Sequence, residues 1–199
     1  PTEQVTFLDD MLDQLHQRFP GYPGLSTLRR RMTPDAARLA EFATARTVVH
    51  GDYWVGNLLI TGDRVTGVVD WEAGEPAGEP LRDVARFAVS YSLYLDRHTR
   101  PGRRVRGHRG LRADRWGAGL AHAVNGTGWF PDLVRAYVVE ALQRLRIPPD
   151  LWRAVLLAGV AEIAATADHP EFARDHLDLL INVENDSADA EPQENGAAH

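Results

Sequence analysis

From Pro149 to Ala167 the chain reads PDLWRAVLLAGVAEIAATA and is apolar on nearly every side of a helix. A helix of that kind has no face to give to water, so it is predicted to lie at the centre of the fold with other elements around it. No run of about eighteen apolar residues occurs anywhere, so no segment is expected to span a membrane. The enclosing elements are read from periodicity. Val5, Leu8, Leu12, Leu15 and Phe19 recur at alternating three and four, a single helical stripe ended by Pro20 and the Gly-Tyr-Pro-Gly turn. Thr33-Pro34 predicts the start of a second helix through Phe42, with Thr33 as cap and Pro34 at the first helical position. Leu81, Val84, Ala85, Ala88 and Val89 share one face of a helix from Pro80 to about Leu95. Pro131 to Arg146 is amphipathic, with Leu133, Tyr137, Val138, Leu142 and Leu145 expected inward, and Pro170 to Val183 gives a last helix.

Between these helices lies one change of period. Thr47 to His50 is a short extended stretch. Leu58–Thr61 and Val65–Asp70 are apolar and β-branched and are joined by Gly62-Asp63-Arg64, which predicts a β-hairpin. The fold expected is α+β and mostly α, helices around one small hairpin, with residues 1–183 forming one domain. From Glu184 onward the chain holds five acids and no base, without periodicity, so residues 184–199 are expected to be a disordered acidic tail. Residues 97–115, rich in arginine and containing Pro101-Gly102, are expected to be loop.

Composition narrows the chemistry. The 199 residues, 44% hydrophobic, suffice for a proper core. Cysteine is absent, which excludes disulfides and thiolate metal sites and fits a reducing cytoplasm, the expected location. All 22 basic residues are arginine and none is lysine, so a mechanism that needs a lysine cannot be completed within this sequence. A net charge of -6 argues against a general nucleic-acid partner.

The chemically informative stretch is VVHGDYWVGNLLITGDRVTGVVDWE, residues 48–72. Asp52 and Asn57 stand five apart on one loop, and Asn57 and Asp70 stand at opposite ends of the hairpin. A hairpin brings its ends together, so the three groups are predicted to converge. An amide and a carboxylate converging in this way make a hard oxygen site suited to magnesium. Asp52 is then left to meet a hydroxyl proton.

His50-Gly51-Asp52 through Asn57 resembles the His-x-Asp-x4-Asn catalytic loop of the protein-kinase fold, and Asp70 matches its metal-loop aspartate. The glycine after His50, and Asp70-Trp71-Glu72 in place of Asp-Phe-Gly, resemble the aminoglycoside phosphotransferase family, which includes choline kinases. Glu79-Pro80-Leu81-Arg82-Asp83-Val84-Ala85 is similar to that family's Pro-x-x-Asp-Leu-Ala segment. The resemblance implies the C-terminal lobe of a kinase-like fold. Within it, Asp52 accepts or orients the acceptor hydroxyl proton, and Asn57 and Asp70 hold Mg2+. The resemblance adds that Asp83 braces the catalytic loop from the next helix. Read from their residue types, His50 is expected to be a hydrogen-bonded core histidine holding the loop, and Glu72 either assists the metal or faces solvent. ATP is the implied co-substrate, and a small-molecule hydroxyl the implied acceptor.

The family also needs a strand-rich nucleotide lobe with a lysine on the phosphates. The residues before the motif read instead as helix, turn, helix. The expectation is therefore a fragment or truncated product whose ATP binding depends on a lobe supplied from elsewhere. The alternative is a non-catalytic substrate-binding lobe. A metal-dependent hydrolase using His50, Asp52 and Asp70 is a third reading, in which Asn57 has no special place. Finally, residues 97–115 hold eight arginines against one acid, Asp114. By resemblance this segment lies on the acceptor side, so Arg103, Arg104 and Arg106 are expected to favour a neutral or anionic acceptor over a polycation.

Overall fold

A computed structural model describes residues 2–97, 103–104, 112–113 and 115–190. The chain opens with strand β1 (Thr2–Gln4), helix α1 (Phe7–Arg18) and helix α2 (Leu25–Leu39), then strands β2 (Ala43–Ala45) and β3 (Thr47–Val49). A single 3-10 turn at Val55–Asn57 leads into β4 (Leu58–Thr61) and β5 (Arg64–Val68), followed by β6 (Glu75–Gly78) and α3 (Pro80–Arg97). Two-residue strands β7 (Arg103–Arg104) and β8 (Arg112–Ala113) precede α4 (Ala118–Asn125) and α5 (Trp129–Arg144). A 3-10 turn at Pro149–Leu151 starts α6 (Trp152–Thr166), and α7 (Pro170–Ala190) closes the described chain. The strands form four separate antiparallel pairs: β1 with β2, β3 with β6, β4 with β5, and β7 with β8. The architecture is thus mostly helical α+β, with strands confined to small ribbons. Among the described residues, no helix is long and apolar enough to cross a membrane.

The all-round apolar segment is the centre of the core. Every residue of α6 from Ala154 to Ala164 is buried, and the helix packs against α1, α3 and α7. Its approach to α3 is close: a Cβ on Gly159 would stand 2.8 Å from the Ala85 Cβ and 2.9 Å from its carbonyl carbon. Only glycine lets α3 lie this near. Glu162 is the exception in an apolar helix. It is 4% exposed and accepts a hydrogen bond from Arg82 Nε at 2.7 Å, while Arg82 also pairs with Glu75. Burial pushes the Glu162 carboxyl above its usual range against the pull of Arg82. Glu79 repeats the pattern, pushed up by burial while Thr44 and Arg46 bond to it.

Several expectations need correction. The second helix does not begin at Thr33-Pro34. It begins at Leu25 after Gly24, and Pro34 lies inside it. Leu25, Leu28, Met32, Ala36 and Leu39 are buried on one face. Burying the larger members of that stripe, at about 1.5–3 kcal/mol each, outweighs the roughly 3 kcal/mol an internal proline costs. The helix expected from Pro131 starts at Trp129, and Leu133 is 47% exposed rather than inward; Phe130 and Val134 take the buried positions. Residues 184–190, expected to be irregular, continue α7. The continuation has partners: Arg153 pairs with Glu184, Arg31 donates to the Asn185 side chain at 2.7 Å, and Arg115 reaches Asp186 at 3.4 Å. Within residues 97–115, expected to be loop, α3 ends at Arg97 and the β7–β8 pair is formed. Strands β1, β2 and β6 and helix α4 went unread because each is short.

Candidate active site

The site is built on the turn between β3 and the 3-10 turn, and its first anchor is a helix. Asp83, in the first turn of α3, accepts hydrogen bonds from the backbone N–H of His50 at 2.7 Å and of Gly51 at 3.0 Å. A carboxylate receiving two backbone donors fixes the loop by charge-assisted bonds. Gly51 itself has φ +78, and a Cβ there would lie 2.2 Å from the Ala73 carbonyl oxygen. The loop therefore passes too near residue 73 for any side chain, in a backbone region that L residues avoid. Gly51→Ala is expected to destabilise the protein by at least about 2 kcal/mol, from left-handed strain plus collision. Thermal melts measure this, and an unchanged melting temperature would refute it.

His50 joins the two halves of the motif. Its ring is buried, its Nε2–H donates to the Val69 carbonyl at 2.8 Å, and its Nδ1 accepts from the Asp52 N–H at 3.3 Å. Both nitrogens are engaged, Nε2 as donor and Nδ1 as acceptor, which fixes the orientation of the ring. The Trp71 indole packs on it with centroids 4.6 Å apart. Val69 also donates its N–H to the Asn57 carbonyl at 3.0 Å. The 50–57 loop and the end of the hairpin are thus tied at two points around Val69.

Asn57 is 6% exposed. Its Nδ2 donates to the Asp52 carbonyl at 2.9 Å and lies 3.4 Å from Asp52 Oδ2. Its Oδ1 has no hydrogen-bond partner among the described residues, a buried acceptor left open. Asp70, one residue beyond the Val69 anchor, has φ 67, the left-handed region, and is exposed. Its carboxylate has no hydrogen bond or ion pair among the described residues. Glu72 is likewise exposed. Among the described residues no three His, Cys, Asp or Glu side chains form a closed metal cage. Magnesium does not require one, since it is commonly held by one or two carboxylates with waters and substrate phosphates. The open Asn57 Oδ1 and the unpaired Asp70 carboxylate, both hard oxygen donors, fit that ion. The structure brings Asp52, Asn57, His50 and Asp83 together by direct hydrogen bonds; Asp70 and Glu72 follow on the chain from the Val69 anchor. Arg103 and Arg104 lie in β7, and Arg106 lies outside the described residues.

The sequence reading missed Arg86. Its guanidinium donates from Nη2 at 2.7 Å and from Nε at 3.1 Å to Asp52 Oδ1. One Asp52 oxygen is therefore occupied by a cation, and Oδ2 is the one that borders the amide of Asn57. The signal was available in part: Arg86 stands one helical turn after Asp83, on the face of α3 that carries the loop brace. Beside this pair opens a cavity of about 420 Å³. Asp52 and Arg86 line one part of it, and Trp54, Trp116, Phe172 and His176 line much of the rest. These residues are scattered from 52 to 176, so no local pattern announces them. A larger hollow, about 660 Å³, is lined by none of His50, Asp52, Asn57 and Asp70; its carboxylates include the Glu79 and Glu162 already paired with Arg46 and Arg82.

Residues 8–120 match the family model described as the phosphotransferase enzyme family. The match covers the whole of the 48–72 stretch and α3. No curated protein matches the chain.

Proposed function

Because this chain belongs to the phosphotransferase enzyme family, we propose that it carries the acceptor and metal side of an ATP-dependent transfer to a hydroxyl of a small molecule. The single observation behind this reading is the hydrogen-bonded unit of Asp52 and Asn57, braced by Asp83 and followed by the unpaired Asp70. In it Asp52 Oδ2 receives or orients the acceptor hydroxyl proton. The hydroxyl oxygen forms a bond to the γ-phosphorus as the bond to the β,γ-bridging oxygen breaks, and ADP leaves. Such transfers depend mainly on positioning and charge neutralisation, with little covalent work for the protein. Asn57 and Asp70 would hold Mg2+, which neutralises phosphate charge when bound. Arg86 keeps the Asp52 carboxylate in one orientation, and His50 keeps the loop in register with residue 69.

The domain reading is part of the same proposal: a kinase-like C-terminal lobe working with a nucleotide lobe that this sequence does not contain. The experiment joins the chain to a strand-rich nucleotide lobe and measures phosphate transfer from ATP against magnesium concentration. Asp70→Ala is expected to raise the magnesium requirement more than Asn57→Ala, because it removes a full charge. Identical magnesium curves for Asp70→Ala and the parent would overturn the metal assignment. A second reading has one observation in its favour. Without any lysine, the sequence supplies none for the nucleotide phosphates. In that reading it is a binding lobe that holds acceptor without transfer, and the joined protein would bind acceptor yet leave ATP intact.

A further inference from the structure

The cavity beside Asp52 contains one group the transfer reading leaves unused. His176, on α7, is 1% exposed and lines the cavity. Its Nδ1 lies 2.8 Å from the Phe172 carbonyl one helical turn earlier. A carbonyl only accepts, so Nδ1 carries the hydrogen of a neutral ring and Nε2 presents a lone pair. That Nε2 has no hydrogen-bond partner among the described residues. The ring is held in place by aromatic neighbours: Phe172 with centroids 4.2 Å apart, and Trp116 edge-on at 4.8 Å. Burial holds the imidazole below its ordinary pKa, which keeps the lone pair in place at neutral pH. A buried acceptor left without a donor costs about 1–3 kcal/mol, and a ligand that supplies the donor recovers it.

The charge of the cavity points the same way. Asp52 is its only carboxylate among the described lining residues, and Arg86 already neutralises it. A polycation would find no net negative charge there, and a quaternary ammonium would bring no donor to Nε2. Trp54, Trp116 and Phe172 give instead an aromatic wall, suited to the faces of a ring.

We propose that His176 is a specificity-determining residue that reads a neutral, ring-bearing acceptor through a hydrogen bond from the acceptor to Nε2. The acceptor then carries two polar features, the hydroxyl presented to Asp52 and a second O–H or N–H donor presented to His176. This rests on the transfer reading only in naming the ligand an acceptor.

The test is calorimetric titration of the full chain, without nucleotide, using four probes: salicin and uridine as neutral ring compounds, choline as a monocation and kanamycin as a polycation. Salicin or uridine is expected to bind most tightly. His176→Phe, which keeps the aromatic packing but loses the lone pair, is expected to weaken that binding about tenfold, the equivalent of one lost hydrogen bond of roughly 1.4 kcal/mol. His176→Gln, whose amide oxygen restores an acceptor, is expected to recover most of it; circular dichroism and melting confirm that both variants fold. Tightest binding of choline or kanamycin, no saturable binding of either neutral probe, or equal affinities in parent and His176→Phe would each overturn the proposal. Failure here is separable from failure of the transfer reading. His176-dependent binding by the chain, with no phosphorylation by the protein joined to a nucleotide lobe, leaves this proposal standing and removes the other, and phosphorylation of kanamycin by the joined protein does the reverse.

Discussion

In the chain joined to a nucleotide lobe, replacing Asp52 with asparagine is expected to lower the proposed phosphate transfer by about a hundredfold or more, the usual contribution of a positioned general base, while nucleotide affinity changes little. Asparagine keeps the size of the side chain and can still meet the Asn57 amide. What it loses is the charge that draws the acceptor proton and holds the Arg86 guanidinium at 2.7 Å. The effect belongs in turnover rather than in the KM for ATP, because Asp52 lines the cavity proposed for the acceptor, where it would meet the hydroxyl. Arg86→Gln adds a second arm. It leaves the carboxylate intact but unclamped, so a smaller fall in turnover is expected. Turnover of the Asp52 variant within about threefold of the parent would remove the residue from the chemistry, since base contributions are far larger.

Arg82→Ala is expected to cost about 3–5 kcal/mol of stability, as removal of one member of a buried ion pair usually does. Glu162 would be left 4% exposed in the middle of the central helix without its Nε donor at 2.7 Å. The loss should depend on pH in a defined sense. Burial raises the Glu162 carboxyl in the folded protein, so the folded state binds a proton more readily than the unfolded chain. Stability from this group therefore falls as pH rises above the unfolded carboxylate pKa of about 4.3 and through the higher folded value. The variant, lacking the compensating charge, should approach the parent as pH falls below the unfolded carboxylate range and diverge from it as pH rises. Denaturant titrations across that range check the sign. A penalty that is constant with pH would mean that Glu162 is not the source.

Much of this fold could be read from residue patterns because its helices are long and one-sided, or, for α6, apolar throughout. The hairpin was legible because β-branched runs flanked a turn. Pro34 misled because local preference favours proline at a helix start, whereas the buried stripe from Leu25 to Leu39 decided the matter. Strands of three or four residues such as β1 and β6 carry too few side chains for an alternation to register. At the site, His50, Asp52, Asn57 and Asp83 lie on one another because they are near in sequence or share the β3–α3 contact. Arg86 was hidden by its ordinary appearance on a polar helix face. His176 was hidden by distance: it reaches the cavity from α7, and only tertiary packing brings residues 52 and 176 to one space.

Helix α3 bears on how such a protein can change over generations. Its first turns carry Asp83 and Arg86, which hold the proposed base, whereas Ser90, Leu93 and Tyr94, farther along the same rod, line the cavity. In the proposed function, residues that serve the reaction and residues that line the acceptor cavity are thus carried on one helix but separated along its length. Mutation can rewrite positions 90, 93 and 94 without touching the hydrogen bonds at 83 and 86. Under the proposed function, a lineage built on this arrangement can exchange one acceptor for another by small steps, each intermediate keeping the residues assigned to the transfer.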